Sequence, residues 1–339
     1  MHRMLLSIAL LACAAVSGCS SSSSTNGKSA PAPASPSPTD DGRDAAAEGS
    51  VSGCPVAGKG VVAGTVRHPA LLEASGLTVS TVTPGVLWTH NDSGDSARIF
   101  ALRADATLAA EVEVAGADAN DWEAIAAGPF QGEPALYIGD IGDNPKSRAN
   151  VTIYIVREPS LAPPPKSVTV AKRLDLTYED GPHDAEALLV DPTDGTIVIA
   201  TKNLNGVSGI YVADTSRSAL TLATTLDGLP WVTDGSVSKD GRLVALRTYG
   251  TAFVWMRAPG TTLVDALQGT RCPLSLEGEP QGEAIALAND GASYFTLSET
   301  KDQPLWSFTL TPPTARSSPR PSASEVTSLR SWSNAAAVR

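Results

Sequence analysis

This 339-residue chain is poor in the side chains from which most active sites are built. It has four histidines, four cysteines and three methionines, and aromatic residues make up only 5%. No HExxH and no paired Cys/His spacing is present, which excludes the common zinc sites. GxSxG, GxGxxG and GxxxxGK[ST] are also missing, so neither a nucleophile elbow nor a phosphate cradle is written in the sequence. Positive charge is short: 25 Lys plus Arg face 36 Asp plus Glu, for a net charge of −11. That balance argues against nucleic acid and anionic membrane surfaces as partners. The scarcity of aromatics counts against a broad sugar-stacking face, and Trp88, Trp122 and Trp231 read as core packing near strand ends.

What is present begins with an address. Arg3 precedes an apolar run over residues 5–16, too short to span a bilayer but suited to a secretory leader. The leader ends in "VSGC", which resembles the lipobox of bacterial lipoproteins and predicts lipidation of Cys19. The alternative is an ordinary leader with an incidental Cys. Residues 19–53 are Ser, Pro and Ala with almost no large apolar side chains, and read as a flexible tether. The 313–339 tail has the same character. The predicted organisation is therefore a leader over 1–18, a tether over 19–53, a folded domain over 54–312 and a tail. Membrane attachment is expected through the lipid alone, outside the cytoplasm, on a monomer. In an oxidising compartment the remaining pair, Cys54 and Cys272, is expected to form a disulfide, with two unpaired thiols as the alternative.

The folded stretch repeats itself. "EASGL" at Glu73, "WEAIA" at Glu123, "AEALL" at Glu186, "DGSVS" at Asp234 and "GEAIAL" at Glu283 recur about every fifty residues. Each is followed by a second apolar segment with a polar end: "VLWTHNDSGD", "LYIGDIGDN", "IVIATKN", "LVALRTY" and "SYFTLSE". Asp194-Gly195, Asp240-Gly241 and Asp290-Gly291 suit tight hairpins between the two. Four short strands per unit predict an all-β, five-bladed β-propeller. The fourth unit is read as "DGSVS", "LVALRT", "AFVWM" and "TLVDAL". The fifth supplies only three strands, and "GVVAGTV" at 60–66 is expected to complete it and close the ring. The disulfide then requires residues 54–60 to wrap around the sheet edge. A six-bladed ring would need the Pro-rich "REPSLAPPPK" to be a blade, and that stretch is too short.

In such a ring the start of each first strand and the end of each second lie at one mouth. That predicts Glu73, Glu123, Glu186 and Glu283 around the axis. Asn91, Asp92, Asp140, Asp143, Asn144, Lys202, Arg247 and Glu299 would form the surrounding ligand-binding rim. Converging carboxylates either take up protons or hold a cation. An all-oxygen set favours Ca²⁺ over Mg²⁺. The alternative is that each Glu hydrogen-bonds the next blade's backbone. In the fourth unit Gly235 stands at the Glu position and Asp234 one residue early, so its part is open.

The set "ASGL", "HNDSGD", "DWEAIA", "YIGDIGDN", "AEALL", "LRTY" and "GEAIA" resembles a family of secreted bacterial β-propellers without an established activity. More loosely it is similar to SdiA-regulated propellers and calcium-dependent apyrases, and distantly to β-propeller phytases. The resemblance implies Ca²⁺ ligation by Glu73, Glu123, Glu186 and Glu283. Two functions follow. One is a binding module for a small molecule, glycan or envelope protein, its polar Gly-rich loops forming the contact surface. The other is a Ca²⁺-dependent phosphoester hydrolase in which Lys202 and Arg247 grip phosphate and His183 moves a proton. Against the second, Lys202 and Arg247 can instead pair with Glu186 or Glu299, and His183 can be a surface residue.

Overall fold

The computed structural model describes residues 53–313. The stretches expected to be leader, lipidated Cys19, tether and tail lie outside them, except for Gly53 and Pro313. Within the described residues the chain is all-β apart from one short helix, and no helix is long and apolar enough to cross a membrane.

Two short strands come first, β1 (Val56–Ala57) and β2 (Val61–Thr65). A meander follows: β3 (Ala74–Val79), β4 (Val86–Asn91), β5 (Arg98–Arg103) and β6 (Leu108–Ala115), each antiparallel to the next. The second meander is β7 (Trp122–Phe130), β8 (Glu133–Asp140), β9 (Val151–Arg157) and β10 (Ser167–Tyr178). The third is β11 (Ala185–Val190), β12 (Ile197–Thr201), β13 (Val207–Asp214) and β14 (Ala219–Asp227). In the fourth, β15 (Val232–Val237), β16 (Leu243–Thr248) and β17 (Ala252–Met256) lead through helix α1 (Leu263–Leu267) to β18 (Cys272–Leu274). The last is β19 (Gly282–Leu287), β20 (Ser293–Ser298) and β21 (Pro304–Thr311), with β2 paired to β21 as its fourth strand.

The meanders are packed in a cycle through their first strands: β3 on β7, β7 on β11, β11 on β15, β15 on β19, and β19 on β3. Burial follows from this placement. The first two strands of a unit are covered on both faces, and β11 and β12 are buried throughout. Their sequences, "AEALLV" and "IVIAT", are accordingly near-continuous apolar runs. Outer strands keep one wet face, so β6 alternates over "AEVEV" and β10 over "LDLTY".

Three details differ from the sequence expectation. "TLVDAL" holds a helix, because Thr262 and Asp265 form a capping box at its start, and the fourth strand is "CPL" instead. Residues 54–60 do not wrap around an edge: β1 and β2 lie along different stretches of the same strand β21, which brings Cys54 directly to Cys272 as a disulfide. The Asp-Gly hairpins use positive φ only at Gly195, Gly241 and Gly291, as expected of longer turns ending in a bulge. The Pro-rich stretch 158–166 contains no strand.

The disulfide ties β18 to the segment that closes the cycle across 218 residues of sequence. Reduction is expected to cost about 2–4 kcal/mol, since a long loop regains its freedom in the unfolded chain. The check is a lower urea midpoint in dithiothreitol, reproduced by Cys272→Ser.

Candidate functional site

Each first strand begins beside the end of its second strand: Ala74 with Asn91, Trp122 with Asp140, Ala185 with Thr201, Val232 with Thr248, Gly282 with Ser298. In the last four units this pairing is followed at once by a bulge. In β7, β11 and β19 the residue skipped by the ladder is Glu123, Glu186 or Glu283, and in β15 it is Thr233. A bulge turns a side chain out of the sheet's alternation. In β3 the equivalent of the Glu is Ser75, with the register break just beyond it. Ser75 Oγ donates to Glu123 O at 3.0 Å, and Thr233 Oγ1 donates to Gly282 O at 3.1 Å. Hydroxyls thus link neighbouring units where the other units carry acids.

Two positions earlier, at the very start of each unit, stand Glu73, Asp121, Asp184, Trp231 and Gln281. Just past the five second strands stand Asp92, Ile141, Lys202, Tyr249 and Glu299. The backbone confirms the register: Asp92 N donates to Glu73 O, Lys202 N to Asp184 O and Glu299 N to Gln281 O, each at 2.9 Å. Gly142 N reaches Asp121 O at 3.2 Å in the second unit.

This register corrects several sequence assignments. Glu73 is exposed and two residues ahead of the Glu123, Glu186 and Glu283 position, so it does not join that buried set. Arg247 is two residues too deep. It is fully buried, donates to Ala284 O and Thr248 O, and pairs with Glu279 Oε2 at 3.0 Å. Tyr249 takes the mouth position instead. Asp234 is not a displaced ligand: its Oδ2 accepts Leu77 N at 3.2 Å and Ile285 N at 2.8 Å, and its Oδ1 accepts Gly235 N at 2.7 Å. The Glu position of that unit is Thr233, not Gly235.

Other rim candidates are consumed by local structure. Asn91 Oδ1 accepts Leu72 N and Glu73 N. Asp140 accepts from Asp121 N and Asn120 and pairs with Arg148 at 2.8 Å, which holds the 120–121 segment in place. Asp143 accepts Ser147 N and Arg148 N, and Asn144 is exposed. His183 Nε2 is shared between Asp180 Oδ1 at 3.1 Å and Tyr211 OH at 2.8 Å.

The residues that do converge are acids. Asp92, Asp121 and Glu123 each offer a carboxylate oxygen, all within 4.8 Å of one another. Burial, then Glu186 and Asp92, pushes the Glu123 carboxyl well above its ordinary range. Burial and the Asp92 charge raise Asp121 to about 6. Burial raises Glu283 to about 7 and also lifts Asp92 and Glu299. Gly142 lies against the same oxygens, and a Cβ there would fall on Asp121 Oδ2 and Glu123 Oε1.

Lys202 is the ammonium among them. Its Nζ pairs with Glu186 Oε1 and reaches Tyr249 OH at 2.8 Å. Burial pulls it down, but the Glu186 charge and these hydrogen bonds hold it above its ordinary value. Glu186 Oε2, buried, has no hydrogen-bond partner. Gln281 Nε2 donates to Glu283 Oε1 and Glu299 Oε2. Asp121 and Asp184 were missed in the sequence although a signal existed: Asp-x-Glu occurs at both 121–123 and 184–186, with Gln-x-Glu at 281–283.

No family model and no curated protein matches the chain. Among solved structures it is similar to the PQQ-bound aldose sugar dehydrogenase of Streptomyces coelicolor, at 11% identity and a TM-score of 0.45, over 76% of this chain and 100% of that one. It is also similar to the WD40 repeats of RRP9, at 11% identity and a TM-score of 0.36, over 70% of this chain and 67% of that one.

Proposed function

We propose that the chain is a five-bladed β-propeller that acts outside the cytoplasm as a calcium-dependent binding module, tethered through Cys19. The blade count is supported by the cyclic packing of β3, β7, β11, β15 and β19 and by the β2–β21 pairing that completes the last unit. The observation that carries calcium is the Asp92, Asp121 and Glu123 cluster. Its oxygens come from two units and no thiolate or imidazole joins them, a donor set suited to a hard ion. Bidentate carboxylates and waters can complete the six to eight oxygens that Ca²⁺ takes. The cluster lies at one side of the mouth and replaces the four-Glu ring expected from sequence.

The hydrolase reading depended on two cations free to hold phosphate. Arg247 is buried and paired with Glu279, Lys202 is paired with Glu186, and His183 is held by Asp180 and Tyr211. The binding module is therefore the better supported reading. It is tested by calorimetric titration of chelator-treated protein with CaCl₂. One site should be seen, lost in Glu123→Gln and weakened at least tenfold in Asp121→Asn. A wild-type protein that takes up no Ca²⁺ at millimolar concentration overturns it.

A further inference from the structure

The fourth unit differs from the others in a way that selects a ligand. Where the other units bring Glu73, Asp121, Asp184 and Gln281 to the start of their first strand, it brings Trp231. Past the second strand, where the others bring Asp92, Lys202, Glu299 and, in the second unit, the buried Ile141, it brings Tyr249. The two rings lie 6.2 Å apart at 58°. Trp231 is 43% exposed, and its backbone sits at φ +52°, with its N–H donating to Asn203 O at 3.1 Å. Leu204, on the same 203–206 loop, is 77% exposed. One sector of an acidic mouth is thus an aromatic and apolar wall. Core packing does not explain a Trp held half in water.

A second observation points to what the wall is for. Glu186 Oε2 is buried without a partner, while Lys202 occupies only the other oxygen. Lys202 Nζ reaches both Glu186 Oε1 and Tyr249 OH, and Gly282, the neighbour of Glu283, lies against Tyr249 O, which sets both acids close to Tyr249. A desolvated carboxylate oxygen at the same mouth as the Trp231–Tyr249 pair favours a cation with an apolar body. The carboxylates attract its charge and the Trp231 face takes up its methylenes, the Tyr249 ring already lying 5.0 Å from Lys202 Nζ. A neutral sugar would use the rings and leave the acids uncompensated.

We propose that the Trp231–Tyr249 sector, with Glu186 and Glu283, binds an organic ammonium ion carrying an aliphatic stem, at a subsite adjoining the metal cluster. The proposal rests on the reading of the mouth as a binding site and adds its ligand class. The ammonium sits between Glu186 Oε2 and Glu283, and its stem lies on Trp231. Lys202 and Glu186 cancel each other's charge, so Glu283 supplies the net negative charge and Glu186 Oε2 a free hydrogen-bond acceptor.

The test is a titration with 1,5-diaminopentane followed by tryptophan fluorescence, with 1,5-pentanediol as the uncharged control, with and without CaCl₂. The diamine should give a saturable change that the diol does not. Binding should weaken at least tenfold in Trp231→Ala and in Glu283→Gln, and should fall with added NaCl. Equal responses to diamine and diol, or binding of a neutral methyl glycoside in place of the diamine, would overturn the proposal. One-for-one competition between Ca²⁺ and the diamine would overturn the separate subsite. Diamine binding by a protein that takes up no Ca²⁺ would leave this proposal standing while the calcium reading fell. The diamine and diol comparison on wild-type protein decides the matter even if a variant folds poorly.

Discussion

Asp234→Ala is expected to lower the unfolding free energy by about 4–6 kcal/mol, among the largest effects of any single substitution here. The carboxylate is buried at the centre of the cycle. It accepts the N–H of Leu77 on β3 and of Ile285 on β19 through one oxygen, and Gly235 N through the other. Alanine leaves these buried amides without acceptors, at about 1–3 kcal/mol for each unsatisfied donor. It also removes a link joining three units that have no strand ladder between them. Asp234→Asn should fall between wild type and Ala, because one side-chain oxygen survives while the amide nitrogen meets an N–H. The measurement is urea unfolding followed by near-UV circular dichroism. A loss below about 1 kcal/mol for the alanine variant would show that water or repacking replaces the carboxylate.

The second large effect links calcium to pH. Without metal, the mouth carboxyls hold their protons to higher pH than they would in the unfolded chain: Asp121 to about 6, Glu283 to about 7, and Glu123 also well above its ordinary range. Groups raised in this way are neutral in both states at pH 3, where they contribute nothing. As pH rises through 4 the unfolded chain ionises first, so the folded state loses stability progressively until about pH 7. At Glu283 alone the loss is about 3 kcal/mol. Metal-free protein should therefore melt lower at pH 8 than at pH 5. On the calcium reading the metal takes the ionised acids, so its effect should be greatest where the metal-free protein is weakest. At a hundredfold excess over Kd it should add about 2.7 kcal/mol at pH 8, or roughly 5–10 °C in Tm, and almost nothing at pH 4.5. Gly142→Ala tests the geometry separately: its methyl would fall on the Asp121 and Glu123 oxygens and should abolish the calcium shift. Melting curves with CaCl₂ or EDTA across pH 4.5–8 provide the readout. An equal calcium shift at both ends of that range would sink the linkage.

The repeat, the strand pairs and the closing segment at residues 61–65 were legible because each depends on local pattern. An inner strand covered on both faces must be continuously apolar, as "AEALLV" is, and an outer strand must alternate. The site was legible only in outline. Bulges break the correspondence between position in a motif and direction of a side chain. Aligning "EASGL" with "WEAIA" by its Glu puts Glu73 two residues out of place, whereas Ser75 holds the register. The same two-residue error made Arg247, rather than Tyr249, a mouth residue. The helix at 263–267 was missed although Thr262 and Asp265 carry a capping signal, because "TLVDAL" also suits a strand.

By itself the sequence determined an all-β chain with a fifty-residue repeat; it made a Cys54–Cys272 disulfide the expectation, and the structure shows that bond. Composition and period 2 alternation depend on near neighbours, so they survive without coordinates. Only the tertiary structure decided which acids meet. Asp92 and Glu123 lie on different units, and their contact depends on the angle between sheets and on one bulged residue. It likewise decided that Asp234 sews three strands together at the axis, since an unpaired amide is visible only once the strands that bury it are in place.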